Sequence, residues 1–178
     1  MRKLIAILAF GLMMIPALAQ NHTGYNLPEE PKRAKYIDFP SQDKGLWFAA
    51  QVTPAIGFDR ARGLWAYADL IAGYRTGEFF KVGLGISPGF NQVSGFTLPV
   101  YVDLRGNIIS QESRMAVPYW NVDLGWAFHT AGVYFSPTVG ARIGMPRNNL
   151  LLGLTYIMQH SIYSGVFSAV GVRIGYEF

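Results

Sequence analysis

Cysteine is absent from all 178 residues, and only 15% of the side chains are charged. The first absence excludes a disulfide scaffold and a cysteine-ligated metal site. The second sets the chain apart from ordinary globular domains, in which about a quarter of the residues are charged. Disorder is excluded from the opposite side, because 51% of the residues are hydrophobic and 15% aromatic, too much apolar surface for a solvated chain. Paired histidines are also lacking: His22, His129 and His160 stand far apart, so neither a protein metal site nor a cofactor is expected. Beyond the first twenty residues there is no helical apolar stripe and no run long enough for a spanning helix.

What is present begins with an address. Residues 1–19 carry a basic start (Arg2, Lys3), an apolar run from Leu4 to Ile15, and the small-x-small site Ala17-Leu18-Ala19. This is the anatomy of a signal peptide removed on export. Pro16 ends the apolar run short of the roughly 20 residues that a spanning helix needs. No cysteine follows the cleavage site, so a lipoprotein anchor is not expected. Without Arg2 and Lys3 the formal charge falls from +4 to +2, which makes no case for a nucleic-acid partner. Residues 20–44 then mix prolines with charges of both signs, among them Glu29, Glu30, Lys32, Arg33, Asp38 and Asp43. With no usable period, this segment is expected to be a polar periplasmic tail or linker.

From Gly45 to the last residue the period is two. Eight stretches alternate apolar with polar or small residues, near 45–57, 64–75, 79–87, 96–105, 115–128, 132–144, 150–158 and 165–178. Turns are expected at Arg75-Thr76-Gly77-Glu78, Pro88-Gly89-Phe90-Asn91 and Pro146-Arg147-Asn148-Asn149. In 115–128, for example, Trp120, Val122, Leu124, Trp126 and Phe128 oppose Tyr119, Asn121, Asp123, Gly125 and Ala127. Every stretch has one face without a charge, and Ser168 is the lone small polar residue on those faces. The opposite face interleaves glycines (Gly57, Gly73, Gly83, Gly85, Gly125, Gly140) with Trp65, Tyr67, Tyr101, Tyr119 and Tyr134. Small residues mixed with large aromatics suit a narrow barrel interior, where they must mesh. A continuous apolar face suits lipid, where a closed barrel satisfies its own backbone. Stretches of this length can cross a bilayer when tilted, and an even number of strands returns both termini to one side.

These features predict an all-β fold, an eight-stranded antiparallel up-and-down transmembrane β-barrel over 45–178. The chain resembles the small eight-stranded outer-membrane barrel family of the OmpA/OmpX type. The resemblance rests on Leu98–Gly106 (LPVYVDLRG), Pro118–Phe128 (PYWNVDLGWAF) and the terminal Tyr176-Glu177-Phe178. Arg173 departs from that terminal pattern, standing where it often has glycine. The resemblance implies a bacterial outer-membrane location, with lipid and lipopolysaccharide as partners. It also implies that Tyr176 and Phe178 form the signal read by the barrel-assembly machinery. Pro54, Pro99 and Pro137 fall inside expected strands, where a closed barrel has no edge to hold them, so bulges or shifted boundaries are expected there. They also favour the alternative fold, a soluble periplasmic sandwich or lipocalin-like barrel.

Candidates for chemistry are few. Asp69, Asp103 and Asp123 share the inward phase with Lys81, Arg142 and Arg173, and an interior ion network of three negative and three positive groups is expected. Arg75, Arg105 and Glu177 are expected near the periplasmic rim. Arg60 and Arg62, in the first loop, could pair with lipopolysaccharide phosphates, since guanidinium matches phosphate oxygens in bidentate fashion. Gln159–Ser164 (QHSIYS) invites comparison with outer-membrane lipid A deacylases, whose hydroxyl nucleophile needs an adjacent base and a carboxylate to orient it. Here Ile162 takes the usual serine position, Ser161 directly follows His160, and no carboxylate comes before Glu177. The expected role is therefore non-enzymatic: membrane integrity or surface interaction around an interior filled by side chains. A lipid A-modifying enzyme and a narrow small-solute channel are the alternatives.

Overall fold

The computed structural model describes residues 44–58, 62–92, 95–112, 114–128, 131–145, 147–161 and 165–178. The expected signal peptide (1–19) and all of the expected tail (20–44) except Lys44 lie outside the described residues, as do Arg60 and His129. Ten strands follow: β1 (Gly45–Phe58), β2 (Gly63–Arg75), β3 (Lys81–Ile86), β4 (Gly89–Asn91), β5 (Gly95–Thr97), β6 (Pro99–Asn107), β7 (Ala116–Ala127), β8 (Gly132–Met145), β9 (Asn148–Ser161) and β10 (Gly165–Glu177). They form one antiparallel sheet that closes on itself, because β1 pairs with β2 on one side and with β10 on the other. Phe48 and Phe178 exchange both backbone bonds, N–H to O at 2.8 and 2.9 Å, so the last residue of the chain completes the seam.

Ten strands make eight staves. The third stave is β3 followed by β4, both paired to β2. The fourth is β5 followed by β6. The breaks fall at Ser87-Pro88 and at Leu98, where Pro88 and Pro99 remove donors from the ladder. This corrects one expected turn: Gly89–Asn91 belong to β4, opposite Trp65–Tyr67, and the reversal comes after them. Gly95, with φ at +72°, opens β5 in a conformation that favours glycine. The expected seventh strand also grows at both ends, Asn148 and Asn149 joining β9 rather than the turn.

The other two prolines at which bulges or shifted boundaries were expected, Pro54 and Pro137, cause no bulge. Pairing of β1 with β10 lapses between Val52↔Ile174 and Ala55↔Gly171 and resumes in the same register. Pro54 still pairs with Ala66 on its other side, so the missing N–H faces β10. Pro137 repeats the arrangement, paired with Val122 of β7 while the β9 ladder lapses between Phe135↔Met158 and Thr138↔Thr155. There the Thr155 hydroxyl donates to the Pro137 carbonyl at 3.1 Å. A local gap, without an extra residue, accommodates proline inside a closed sheet.

Alternation sorts the side chains as the period-two pattern predicts. Leu46, Val52, Ile56, Leu84, Leu124, Leu154 and Val170 face outward, whereas Gln51, Asp69, Asp103, Asn121, Asp123 and Arg173 are buried inside. Ser168, the outward polar residue, shares a hydrogen bond of 2.8 Å with the Tyr156 hydroxyl. Inside, glycines and rings mesh. A Cβ on Gly85 would stand 2.5 Å from the Tyr101 ring, and one on Gly153 would stand 2.9 Å from the Tyr119 hydroxyl. The rings pack in turn on each other, Tyr101 on Tyr134 at 5.6 Å and Tyr67 on Tyr134 at 6.4 Å between centroids.

Gly85→Ala is therefore expected to destabilise the barrel by about 1–3 kcal/mol, the usual cost of overpacking. In a Tyr101→Ala background the same change should cost markedly less. Urea unfolding of the refolded protein in detergent measures both; equal costs in the two backgrounds would mean that Gly85 and Tyr101 do not mesh.

Candidate functional site: the charged interior

Strand phase delivers polar groups to the axis, and their chain lengths decide which of them meet. Five cations (Arg75, Lys81, Arg105, Arg142, Arg173) and four carboxylates (Asp69, Asp103, Asp123, Glu177) are buried among the described residues, none more than 2% exposed. They divide into two clusters along the axis.

The first lies midway along the staves. Arg173 Nη1 donates to Asp123 at 2.7 Å and to the Asn121 amide oxygen at 2.6 Å, while Nη2 donates to Ser136 at 3.0 Å. The Asn121 amide nitrogen donates to Asp103 at 2.6 Å and to Asp123 at 3.0 Å, holding two carboxylates together. Asp69 joins through the Tyr101 hydroxyl, which donates at 3.1 Å, and through Arg173 at 4.0 Å. Arg105 grips Asp103 with two parallel bonds of 2.7 and 2.5 Å, the bidentate geometry that makes guanidinium–carboxylate pairs strong. Its guanidinium also lies 4.5 Å from the Trp47 ring centroid, a cation–π contact.

The second cluster closes the end that holds the C-terminus, and Glu177 is its hub. Lys81 and Arg142 reach Glu177 at 2.9 and 2.7 Å, with Arg75 and Arg105 at 3.4 and 3.6 Å. Arg142 also donates to Asn107 at 3.0 Å. The connection between β6 and β7 folds over this end. Gln111 is buried there and donates to Asn149 at 2.8 Å and to the Gly144 carbonyl at 2.9 Å. Its own N–H and the Ser110 hydroxyl donate to Glu78 at 2.9 and 3.1 Å. Near the hub, the space left over is a cavity of about 10 Å3, room for a single small occupant.

All six residues expected in an interior network do lie inside, but the pairing differs from a simple match of three with three. Lys81 and Arg142 meet Glu177, not Asp103 or Asp123. Arg75, Arg105 and Glu177, expected at the rim, are interior members at that end. Their phase was readable, since Glu177 alternates with Arg173 and Arg105 with Asp103. Their depth was not, because it depends on long side chains from several staves converging on Glu177 once the sheet has closed. Among the other candidates, Arg62 is exposed beside β2. His160 and Ser161 sit on opposite faces, His160 outward and exposed, Ser161 inward and buried, so the two do not form a base–hydroxyl pair. Tyr176 and Phe178 face outward together, with ring centroids 6.4 Å apart.

No family model matches the chain, and no curated protein matches it either. Among solved structures, Neisserial surface protein A is similar with a TM-score of 0.60 at 12% identity, covering 74% of this chain and 95% of that one. The N-terminal β-barrel domain of Pseudomonas aeruginosa OprF follows with a TM-score of 0.48 at 13% identity, over 74% and 97% of the two chains. The first likeness shows the fold alone, a closed antiparallel barrel of eight staves.

Double-mutant cycles in detergent should follow the observed partners. Lys81→Met with Glu177→Gln, and Arg173→Met with Asp123→Leu, are expected to be non-additive by about 0.5–3 kcal/mol. Lys81→Met with Asp103→Leu should couple less than either pair, because those two meet through Arg105. Glu177→Gln alone should cost about 3–5 kcal/mol, because it strands buried cations.

Proposed function

We propose that the protein is a non-enzymatic barrel of the bacterial outer membrane, serving membrane integrity or surface interaction around a filled interior. One observation carries this reading: no strand has a charged side chain on its outward face, and that face bears aromatic residues at both ends. Toward the termini stand Phe48, Tyr74, Phe80, Trp120, Tyr176 and Phe178. At the far end stand Phe58, Phe90, Phe96, Trp126, Phe128 and Tyr156. Phe48 and Phe58 lie ten residues apart on β1, about 33 Å along the strand. At the tilt usual for such barrels that is an axial height of about 25 Å, the thickness of a lipid-facing apolar band flanked by aromatic girdles. In water such a surface would be a continuous exposed apolar belt, a strong aggregation liability.

The filled interior bears on the two alternatives. A small-solute channel needs a continuous aqueous path, whereas Tyr67, Tyr101, Tyr134 and both ion clusters occupy the axis among the described residues. A lipid A-modifying hydrolase needs a base beside its nucleophile, and the alternation of His160 and Ser161 separates them. Export through residues 1–19, assembly through Tyr176 and Phe178, and contact of Arg60 and Arg62 with lipopolysaccharide phosphates complete the proposal.

Fractionation, gel mobility, insertion and lipopolysaccharide association test it. The protein is expected in the outer-membrane fraction, with a gel mobility that shifts on boiling. Leu124→Arg should impair insertion by about 2–4 kcal/mol, and recovery of folded protein from the soluble periplasm would reject the reading. Replacing Arg60 and Arg62 together with Gln is expected to weaken lipopolysaccharide association at low salt while leaving the fold intact. Unchanged association would remove those two residues from the proposal.

A further inference from the structure

The outward face is free of charge, but it is neither smooth nor wholly apolar. Beside each of the two ladder gaps lies a depression with an almost entirely apolar surface. One, of about 320 Å3, runs past Pro137 and is bordered by Val139, Leu154, Tyr156 and Val170. The other, of about 360 Å3, runs past Pro54 and is bordered by Ile56, Leu64, Leu154 and Val170. Because Leu154 and Val170 border both, the two adjoin on the wall formed by β8, β9, β10, β1 and β2. Each volume falls in the range of small-molecule sites, about 300–1,000 Å3. At the edge farther from the termini stand the Tyr156 and Ser168 hydroxyls, 2.8 Å apart. Ser168 lies opposite Phe58, and the Tyr156 ring packs on Phe58 at 6.3 Å between centroids. The pair therefore sits in the far aromatic girdle, at the depth of lipid head groups and their linkages. Whichever hydroxyl donates to the other, one O–H remains, and no acceptor among the described residues takes it. At the edge of hydrocarbon such a donor needs a partner. Beyond the girdle, Arg62 is exposed just ahead of β2, the strand that contributes Leu64.

Read outward from mid-wall, the order is apolar depression, hydroxyl donor, cation. A phosphorylated acyl lipid has the same order: chain, carbonyl, phosphate. We propose that this wall is a binding site for one lipopolysaccharide molecule, held by its lipid part. One acyl chain lies in the depression over Val170, and the ester or amide carbonyl of a chain accepts from the Tyr156–Ser168 pair. A phosphate meets Arg62, since guanidinium matches phosphate oxygens. The site rests on the outer-membrane reading, in which the termini are periplasmic and the opposite leaflet is lipopolysaccharide. A phospholipid offers a similar chain and carbonyl but belongs to the other leaflet, and the test separates the two.

The test refolds the full chain in detergent and counts bound lipid by native mass spectrometry. Deep-rough lipopolysaccharide and phosphatidylethanolamine are offered at equal concentration. One lipopolysaccharide is expected to stay bound at detergent levels that strip phosphatidylethanolamine. Val170→Phe fills the depression and should weaken binding about tenfold, as the usual cost of overpacking implies. Tyr156→Phe with Ser168→Ala removes both hydroxyls, and a loss of about two- to tenfold is expected, the worth of one neutral hydrogen bond. Val102→Phe, outward on β6 in the opposite wall, should leave binding unchanged. Equal retention of the two lipids would overturn the proposal, as would undiminished binding by Val170→Phe or an equal loss in Val102→Phe. If the variants do not refold, the wild-type protein is photolysed with lipopolysaccharide carrying a diazirine on an acyl chain. Labels must then gather on Leu154, Tyr156 and Val170, and an even spread around the belt overturns the site. Insertion into phosphatidylcholine vesicles is measured on the same preparations. A barrel that inserts without preferring lipopolysaccharide loses this site alone; one that does not insert loses the membrane reading as well.

Discussion

Closure of β1 on β10 is the constraint on which the rest depends. An open sheet of this composition would leave two rows of unpaired backbone groups, and in hydrocarbon each such group costs several kcal/mol. The seam is made by ordinary ladder bonds ending at Phe48 and Phe178, so the final residue of the chain is part of the wall. Once the sheet is closed, alternation has only one possible meaning: every second side chain shares a narrow interior. Eight staves enclose a space that side chains can just fill, which is why glycine faces a ring at Gly85–Tyr101 and again at Gly153–Tyr119. Proline is tolerated for the same reason. Pro54 and Pro137 each open one side of the ladder while the other side holds the register.

A closed wall also permits an interior that would be untenable elsewhere. Charges can be buried there because partners arrive from several staves at once. Asn121 shows how: its amide oxygen accepts from Arg173, while its nitrogen bridges Asp103 and Asp123. Without this neutral intermediary the two carboxylates, placed opposite each other by the register, would simply repel. At the C-terminal end the logic is inverted, with one carboxylate gathering four cations. Buried pairs of this kind add little net stability over apolar packing but make the removal of any one partner expensive. They therefore act as registry devices, tying β2, β3, β6, β8 and β10 together through Glu177.

The proposed function follows from the contrast between the two surfaces of one sheet. The outward surface carries no charge and ends in aromatic residues, a chemistry suited to a bilayer and its interfaces. The inward surface is polar but occupied, by rings toward one end and ion pairs toward the other. Under the proposed function, the interior serves the wall, and interaction with the surroundings falls to the outward face and the loops.

How much of this was legible in the chain depends on the range of the interaction involved. The period of two, the charge-free face, the inward glycines and the inward phase of Asp69, Lys81, Asp103, Asp123, Arg142 and Arg173 were readable, because side-chain direction in a strand is a local property of the backbone. The all-β class and the count of eight staves followed from that. Pairings inside the barrel were not readable. Lys81 and Glu177 are 96 residues apart, and nothing local says that a lysine at the start of β3 will meet a glutamate at the end of β10. That meeting needs the seam to close and bring β3 and β10 around one axis. The breaks at Ser87-Pro88 and Leu98 were likewise hidden, since Gly89–Asn91 look like a turn until Trp65–Tyr67 of β2 offer them partners. Local alternation determined which way each side chain points; only closure of the sheet decided which of them touch.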